Sequence, residues 1–314
     1  MSELVADTSG SGPAVVLLHG QPGSRGDWAQ VVKRLEADFL VIAPDRPGYG
    51  DTGGRARGFR GNAAAIVSLL DRLGIARATV VGYSWSGGVA VALAEAAPER
   101  LTGLVLVSSV GPGDPLSRLD RMLAVPPIGT AVTASALFLA SGVLSVPPVR
   151  RALRRRRQAS IAGGASRASG ATRASGATPS SGASPASGAT EPVNTTDDTV
   201  TRAAGAIGAA DGNEAGPDVL VSSWRSNRVW HSFVTEQRSL VDELPFLAPA
   251  LTAIAVPTVV LVGGADRLVP PATGRRLAAA IPGARLVELA GAGHLLAQQH
   301  PDAVAAAVRQ VTRA

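Results

Sequence analysis

The 314-residue chain has no cysteine, four histidines, few aromatic residues (4%) and a single lysine, Lys33, among its 30 basic side chains. Without thiols it can hold no disulfide framework, iron–sulfur cluster, thiolate zinc site or cysteine nucleophile. The dominance of arginine over lysine reads as a GC-rich coding bias rather than a binding signature. Positive charge is also missing from most of the molecule. Eight arginines and no acidic residue lie between Arg150 and Arg173, so outside that stretch the chain is slightly acidic despite a net charge of +6. A broad basic surface is therefore excluded, and no nucleic-acid partner is expected. The first twelve residues carry Glu3 and Asp7 and no apolar run. They do not read as a secretory signal of the usual kind, and a cytoplasmic location is expected. What the chain has in quantity is apolar side chains, at 46%, enough for a large core.

Two regions alternate strand-like and helix-like patterns. In the first, Ala14–Leu18, Phe39–Ala43, Ala78–Gly82 and Leu101–Ser108 read as buried strands. Between them, Trp28–Leu35, Asn62–Leu73 and Gly87–Ala97 read as helices. The second region supplies the strands Thr258–Gly263 and Arg285–Leu289 and the helices Ala272–Ile281 and Pro301–Thr312. Such alternation predicts a mostly parallel sheet wrapped by helices.

The middle of the chain differs in composition. Met122–Val149 runs 28 residues without a charge, long enough on paper to span a bilayer. A single crossing would put strands of one sheet on opposite sides of the membrane. Pro126-Pro127, Pro147-Pro148, Gly129 and Gly142 also break the run, so it reads as a buried or groove-lining cap. Arg150–Arg157 follows, read as a solvated flank with a possible weak contact to an anionic surface as the alternative. Gly163–Pro192 then repeats a six-residue unit, GGASRA, SGATRA, SGATPS, SGASPA, SGATEP. A hexapeptide β-helix needs a bulky aliphatic residue in each turn, and this repeat has none. A disordered linker over about residues 158–217 is the expectation. Val219–Leu247 returns to helical composition.

Chemistry concentrates at four loops. Gly82-Tyr83-Ser84-Trp85-Ser86 joins a strand directly to a helix, which exposes the serine hydroxyl above the sheet and demands small residues two before and two after it. A serine needs a base, and the base an orienting acid. Gly293-His294 and Gly263-Gly264-Ala265-Asp266 each follow a strand, at the sheet end where parallel α/β folds place their sites. Ser84, Asp266 and His294 are the predicted catalytic residues. A tetrahedral intermediate also needs backbone donors for its oxyanion. The N–H of Trp85, at a helix start, is one; in the His19-Gly20-Gln21-Pro22-Gly23 loop Pro22 has no N–H, which leaves the N–H of Gln21. His19 is expected to shape that loop, and His300 to be a helix-entry or surface residue. Trp230 and His231 are candidates for the substrate pocket, with Trp85 adding to its wall. Neither a metal nor a cofactor is expected.

These motifs, in this order, resemble the α/β-hydrolase superfamily, as does the turn Asp45-Arg46-Pro47-Gly48-Tyr49-Gly50. The resemblance covers about residues 14–111 and 244–313. It implies an α/β-hydrolase fold with an inserted helical cap carrying the linker: core over residues 1–112, cap over 113–245, core again over 246–314. Two departures stand out. Ser86 occupies a position where glycine is usual, and the short stretch before Ala14 implies that one or two edge strands are missing.

The loop motifs also resemble epoxide hydrolases and haloalkane dehalogenases, which use an aspartate nucleophile. Serine attack on an alkyl carbon would leave an inert ether, so Ser84 implies acyl transfer. The reading is a serine hydrolase for a small apolar ester or related carbonyl compound, a small-molecule partner. Proline iminopeptidases share the His-Gly-x-Pro-Gly loop and the Ser-Trp elbow, which keeps an amidase as an alternative. A non-catalytic small-molecule receptor on the same fold is another, though a pure binder has no need of all three of Ser84, Asp266 and His294. Fold alone does not select the substrate.

Overall fold

The computed structural model describes residues 3–113, 118–125 and 227–312. The uncharged run beyond Val125, the arginine cluster Arg150–Arg157 and the hexapeptide repeat lie outside the described residues. Seven strands form one sheet: β1 Ala6–Ser9, β2 Ala14–Leu18, β3 Leu40–Pro44, β4 Ala78–Tyr83, β5 Leu101–Val107, β6 Thr258–Gly263 and β7 Arg285–Leu289. Their spatial order is β1-β3-β2-β4-β5-β6-β7. Every pair is parallel except β1 with β3, which is antiparallel from Ala6 opposite Pro44 to Ser9 opposite Val41. One antiparallel strand thus does precede Ala14. The hydrophobic pattern did not show it, because ADTS is polar and largely exposed.

The helices are α1 Ala29–Leu35, α2 Phe59–Arg72, α3 Ser86–Ala96, α4 Arg118–Ala124, α5 Asn227–Asp242, α6 Ala248–Ala253, α7 Pro271–Ala280, α8 Leu296–Gln299 and α9 Pro301–Thr312. Alternate residues of the central strands feed two cores. Val16, Leu18, Val80 and Leu104 pack with Phe59, Ile66, Leu69 and Val89 on one face. Val15, Leu17, Val81 and Val105 pack with Trp28, Val31, Val304 and Val308 on the other. Both faces being covered is why these strands read as unbroken apolar runs.

Helix α2 begins three residues earlier than its pattern suggested. Asn62, which reads as a helix start, lies inside the first turn, where its side-chain amide donates to the carbonyls of Arg57 and Gly58. Among the described residues, α5 is the part of the middle region that returns to the sheet. It packs against α4, and its residues from Ser232 onward reach the loops at the carboxyl ends of β2, β3 and β4. No helix of the described residues is long and apolar enough to cross a membrane.

Candidate active site

Strand β4 ends at Tyr83 and α3 starts at Ser86, so Ser84 and Trp85 must reverse the chain within two residues. Ser84 takes a left-handed backbone conformation, φ 55°, which an L-residue adopts only under constraint. The constraint is visible: the Ser84 N–H donates to the Val107 carbonyl at 2.9 Å, and its own carbonyl accepts from Val110 at 3.2 Å. Strand and helix pass so closely that a Cβ on Gly82 would lie 2.6 Å from the Ser86 carbonyl oxygen and 2.9 Å from the Ala90 Cβ.

Ser86, in place of the usual glycine, has a structural reason. Its buried hydroxyl donates to the His19 carbonyl and ties the elbow to the loop after β2. Nothing in this contact tilts Ser84 away from its partners.

Those partners arrive on loops from β6 and β7 that hydrogen-bond to each other. The Gly264 N–H donates to Leu289 and the Ala265 N–H to Ala292, both at 2.8 Å. Asp266 Oδ1 accepts from the backbone N–H of Leu268 (2.9 Å) and Val269 (3.0 Å), which leaves Oδ2 to meet His294 Nδ1 at 2.7 Å. His294 Nε2 stands 2.9 Å from Ser84 Oγ. Since a carboxylate only accepts, Nδ1 carries the proton and Nε2 is free to accept one. The Asp266 side chain is 1% exposed and that of His294 13% exposed. Tyr83 braces the base by donating from its hydroxyl to the His294 carbonyl at 3.2 Å, and burial pushes its phenol pKa far up.

A small cavity of about 30 Å³ opens beside Ser84 and His294, bounded by Gln21, Pro22, Asp27, Leu268 and Gln298 among others. Gln21 borders this cavity. Among the described residues, neither its N–H nor that of Trp85 makes a hydrogen bond. The Trp85 side chain does not line the cavity as expected. Its indole is buried, stacks on Phe59 at 4.4 Å and donates to the Glu236 carbonyl at 3.1 Å. Trp230 and His231 are not at the cavity either: they stack on one another at 3.4 Å, with His231 exposed. Cavity residues that sequence reasoning missed include Asp27, Tyr83 and Gln298. Asp27 lies just before the helix read from Trp28, and its carboxylate accepts the Ser24 N–H at 3.1 Å.

Behind the loop after β2 lies a second buried network. Arg46 and Glu236, both 0% exposed, form an ion pair, and Tyr49 donates to Glu236 Oε2 at 2.7 Å. His19 Nε2 accepts the Arg46 N–H at 3.0 Å, while Nδ1 donates to the Gly20 carbonyl at 2.9 Å, which fixes a neutral imidazole. Burial, reinforced by the Arg46 charge, holds the His19 pKa well below the usual range. His19 is structural, as expected, and His300 caps the end of α8. No group of three or more metal-ligating side chains occurs among the described residues.

Comparison with known proteins identifies the fold and the family. The chain is 42% identical over 85 residues to a soluble epoxide hydrolase of Corynebacterium sp., covering 26% of this chain and 30% of that protein. It is 41% identical over 120 residues to the 2-hydroxy-6-oxononadienedioate/2-hydroxy-6-oxononatrienedioate hydrolase of Burkholderia vietnamiensis, covering 35% and 40%. These curated relatives are thus matched over 30–40% of their own length. A thermophilic esterase from Thermogutta terrifontis superposes with a TM-score of 0.62 at 21% identity, covering 99% of this chain and 93% of the esterase. The model of the alpha/beta hydrolase family matches residues 15–307, so the chain belongs to that family.

Proposed function

We propose that the chain is a serine hydrolase working through an acyl-enzyme on a small apolar ester or related carbonyl compound. The observation that carries this reading is the continuous relay from Ser84 Oγ through His294 to Asp266, at 2.9 and 2.7 Å. His294 Nε2 takes the Ser84 proton as Oγ adds to the carbonyl carbon, and Asp266 stabilises the imidazolium. The oxyanion so formed meets the N–H groups of Gln21 and Trp85, with the N-terminus of α3 adding its dipole. His294 returns the proton to the leaving oxygen or nitrogen. A water then repeats the sequence on the acyl group and frees Ser84.

Pro22, Leu268 and Leu295 at the cavity favour an apolar substrate part. A free amino terminus would need a buried carboxylate. Of the acidic residues at and after α5, Glu236 is taken by Arg46 and Tyr49, Glu243 accepts the Arg60 N–H and Asp242 is exposed, while Asp27 at the cavity accepts the Ser24 N–H. This supports an ester over an aminoacyl amide.

An organophosphonate probe should label the protein once, and Ser84→Ala should abolish both labelling and ester turnover. Specificity constants for a butyrate-type ester and a prolyl amide then separate the esterase from the amidase. A preference for the amide by about tenfold, roughly 1.4 kcal/mol in transition-state binding, would reverse the choice. Labelling at another residue would refute the serine assignment, and ligand binding without turnover would establish the receptor.

A further inference from the structure

We infer that the buried Arg46–Glu236 pair is a positioning device for the oxyanion-binding loop, through which the helix α5 sets the aim of the Gln21 N–H. The inference rests on the serine-hydrolase reading above.

Both carbonyls that precede Gln21 are held by one guanidinium. Arg46 Nε donates to the His19 carbonyl at 3.1 Å and Nη2 to the Gly20 carbonyl at 2.8 Å. In a planar trans peptide the carbonyl and the following N–H point in opposite directions. Fixing the Gly20 carbonyl on Arg46 therefore turns the Gln21 N–H away from Arg46, to the side where Gln21 and Ser84 border the same cavity. The charge that pairs with Arg46 does not come from its own loop. Its guanidinium lies between the rings of Tyr49 (4.9 Å) and Trp85 (4.6 Å), and the anion opposite it is Glu236, 190 positions away on α5.

Glu236 is itself fixed by the Tyr49 hydroxyl. Two further bonds bring α5 to the same loops: Gln21 Nε2 to the Phe233 carbonyl at 2.9 Å, and Trp85 Nε1 to the Glu236 carbonyl at 3.1 Å. Each of the two residues that offer an oxyanion donor is thus bonded through its side chain to the α5 backbone. A buried ion pair adds little net stability over an apolar replacement. Orienting a donor that acts only in the transition state is a separate contribution, and it is measurable by kinetics.

The test uses the full-length protein. Arg46→Lys keeps the charge facing Glu236 but cannot reach two carbonyls at once, and Glu236→Gln removes the anion while keeping its shape. For a butyrate-type ester, each should lower kcat by about 10- to 100-fold with KM within about twofold. Affinity for an alkyl boronic acid, whose serine adduct places an oxygen in the oxyanion position, should fall in the same proportion. If both variants are too unstable to isolate, Tyr49→Phe decides, with a smaller loss in kcat and boronate affinity at unchanged KM. A lowered Tm with kcat and boronate affinity retained would overturn the proposal and leave the pair a packing element. Failure of the serine reading looks different. It appears in the unsubstituted protein, as turnover that survives Ser84→Ala or is never seen, and it takes this proposal with it.

Discussion

At the level of single residues the proposed relay depends on one carboxylate having each oxygen assigned. Asp266 Oδ1 is occupied by two backbone N–H groups, so only Oδ2 is available to His294. Asp266→Asn keeps the size but offers an amide to Nδ1, which favours the wrong tautomer. Turnover should fall by about 10⁴-fold with the melting curve little changed. A loss under about tenfold would point to another acid, such as Asp114, which lies outside the described residues. His19 supports a second prediction. The folded protein holds it neutral far below the usual value of 6.5, by burial and then by the Arg46 charge, whereas the unfolded chain takes up a proton near that value. Between the two pKa values the unfolded state binds more protons, so the His19 contribution is fully present above about pH 6.5 and is lost on acidification. The limiting slope is about 1.4 kcal/mol per pH unit. Glu236, pushed up by burial, contributes with the opposite sign, so the comparison must be differential. Unfolding free energies of the unsubstituted protein should decline more steeply from pH 6.5 towards about pH 5 than those of His19→Asn.

At the level of elements, what was legible in the sequence follows from where the apolar residues go. Strands β2, β4, β5 and β6 are buried on both faces and stood out as apolar runs, and the loops that follow β4, β6 and β7 carry the relay. Strand β1 did not stand out, because it is a short, mostly polar edge strand with β3 as its one strand neighbour. The contact between Arg46 and Glu236 was also illegible. Glu236 lies 190 positions from Arg46 in the chain, and only the tertiary fold brings it, fully buried, against that guanidinium. Trp85 was misassigned to the cavity wall for the related reason that position in a motif fixes its backbone but not the direction of its ring. The elbow itself makes a stability prediction. In Gly82→Ala the new Cβ meets the Ser86 carbonyl, the Gly87 Cα and the Ala90 Cβ at 2.6–2.9 Å, two of them backbone atoms. Overpacking of this kind should cost about 1–3 kcal/mol and lower Tm accordingly. Ser86→Ala should cost about 1 kcal/mol, because the His19 carbonyl keeps its bond from Arg46.

The whole molecule is organised so that a long insertion leaves and re-enters at one place. Helix α4 ends at Ala124, α5 begins at Asn227, and the two pack against each other, with Leu123 and Val234 both buried. Residues 126–226 join these two helices, and on the composition reading the length of the repeat within them enters the stability through loop-closure entropy. That entropy changes slowly, by about 0.6 kcal/mol per doubling of length. Within the insertion, Gly163–Pro192 has no apolar side chain larger than alanine other than proline, so it can bring no hydrophobic anchor to the core or the cavity. Excising those thirty residues should leave Tm unchanged to within about one degree and ester hydrolysis unchanged to within about twofold. Parallel thermal unfolding and steady-state kinetics of the full-length and shortened chains measure both. If kcat falls at constant Tm, the repeat takes part in closing the site; if Tm falls, it packs on the core. Either result would refute the composition argument, which treats the repeat as chain that connects and does nothing else.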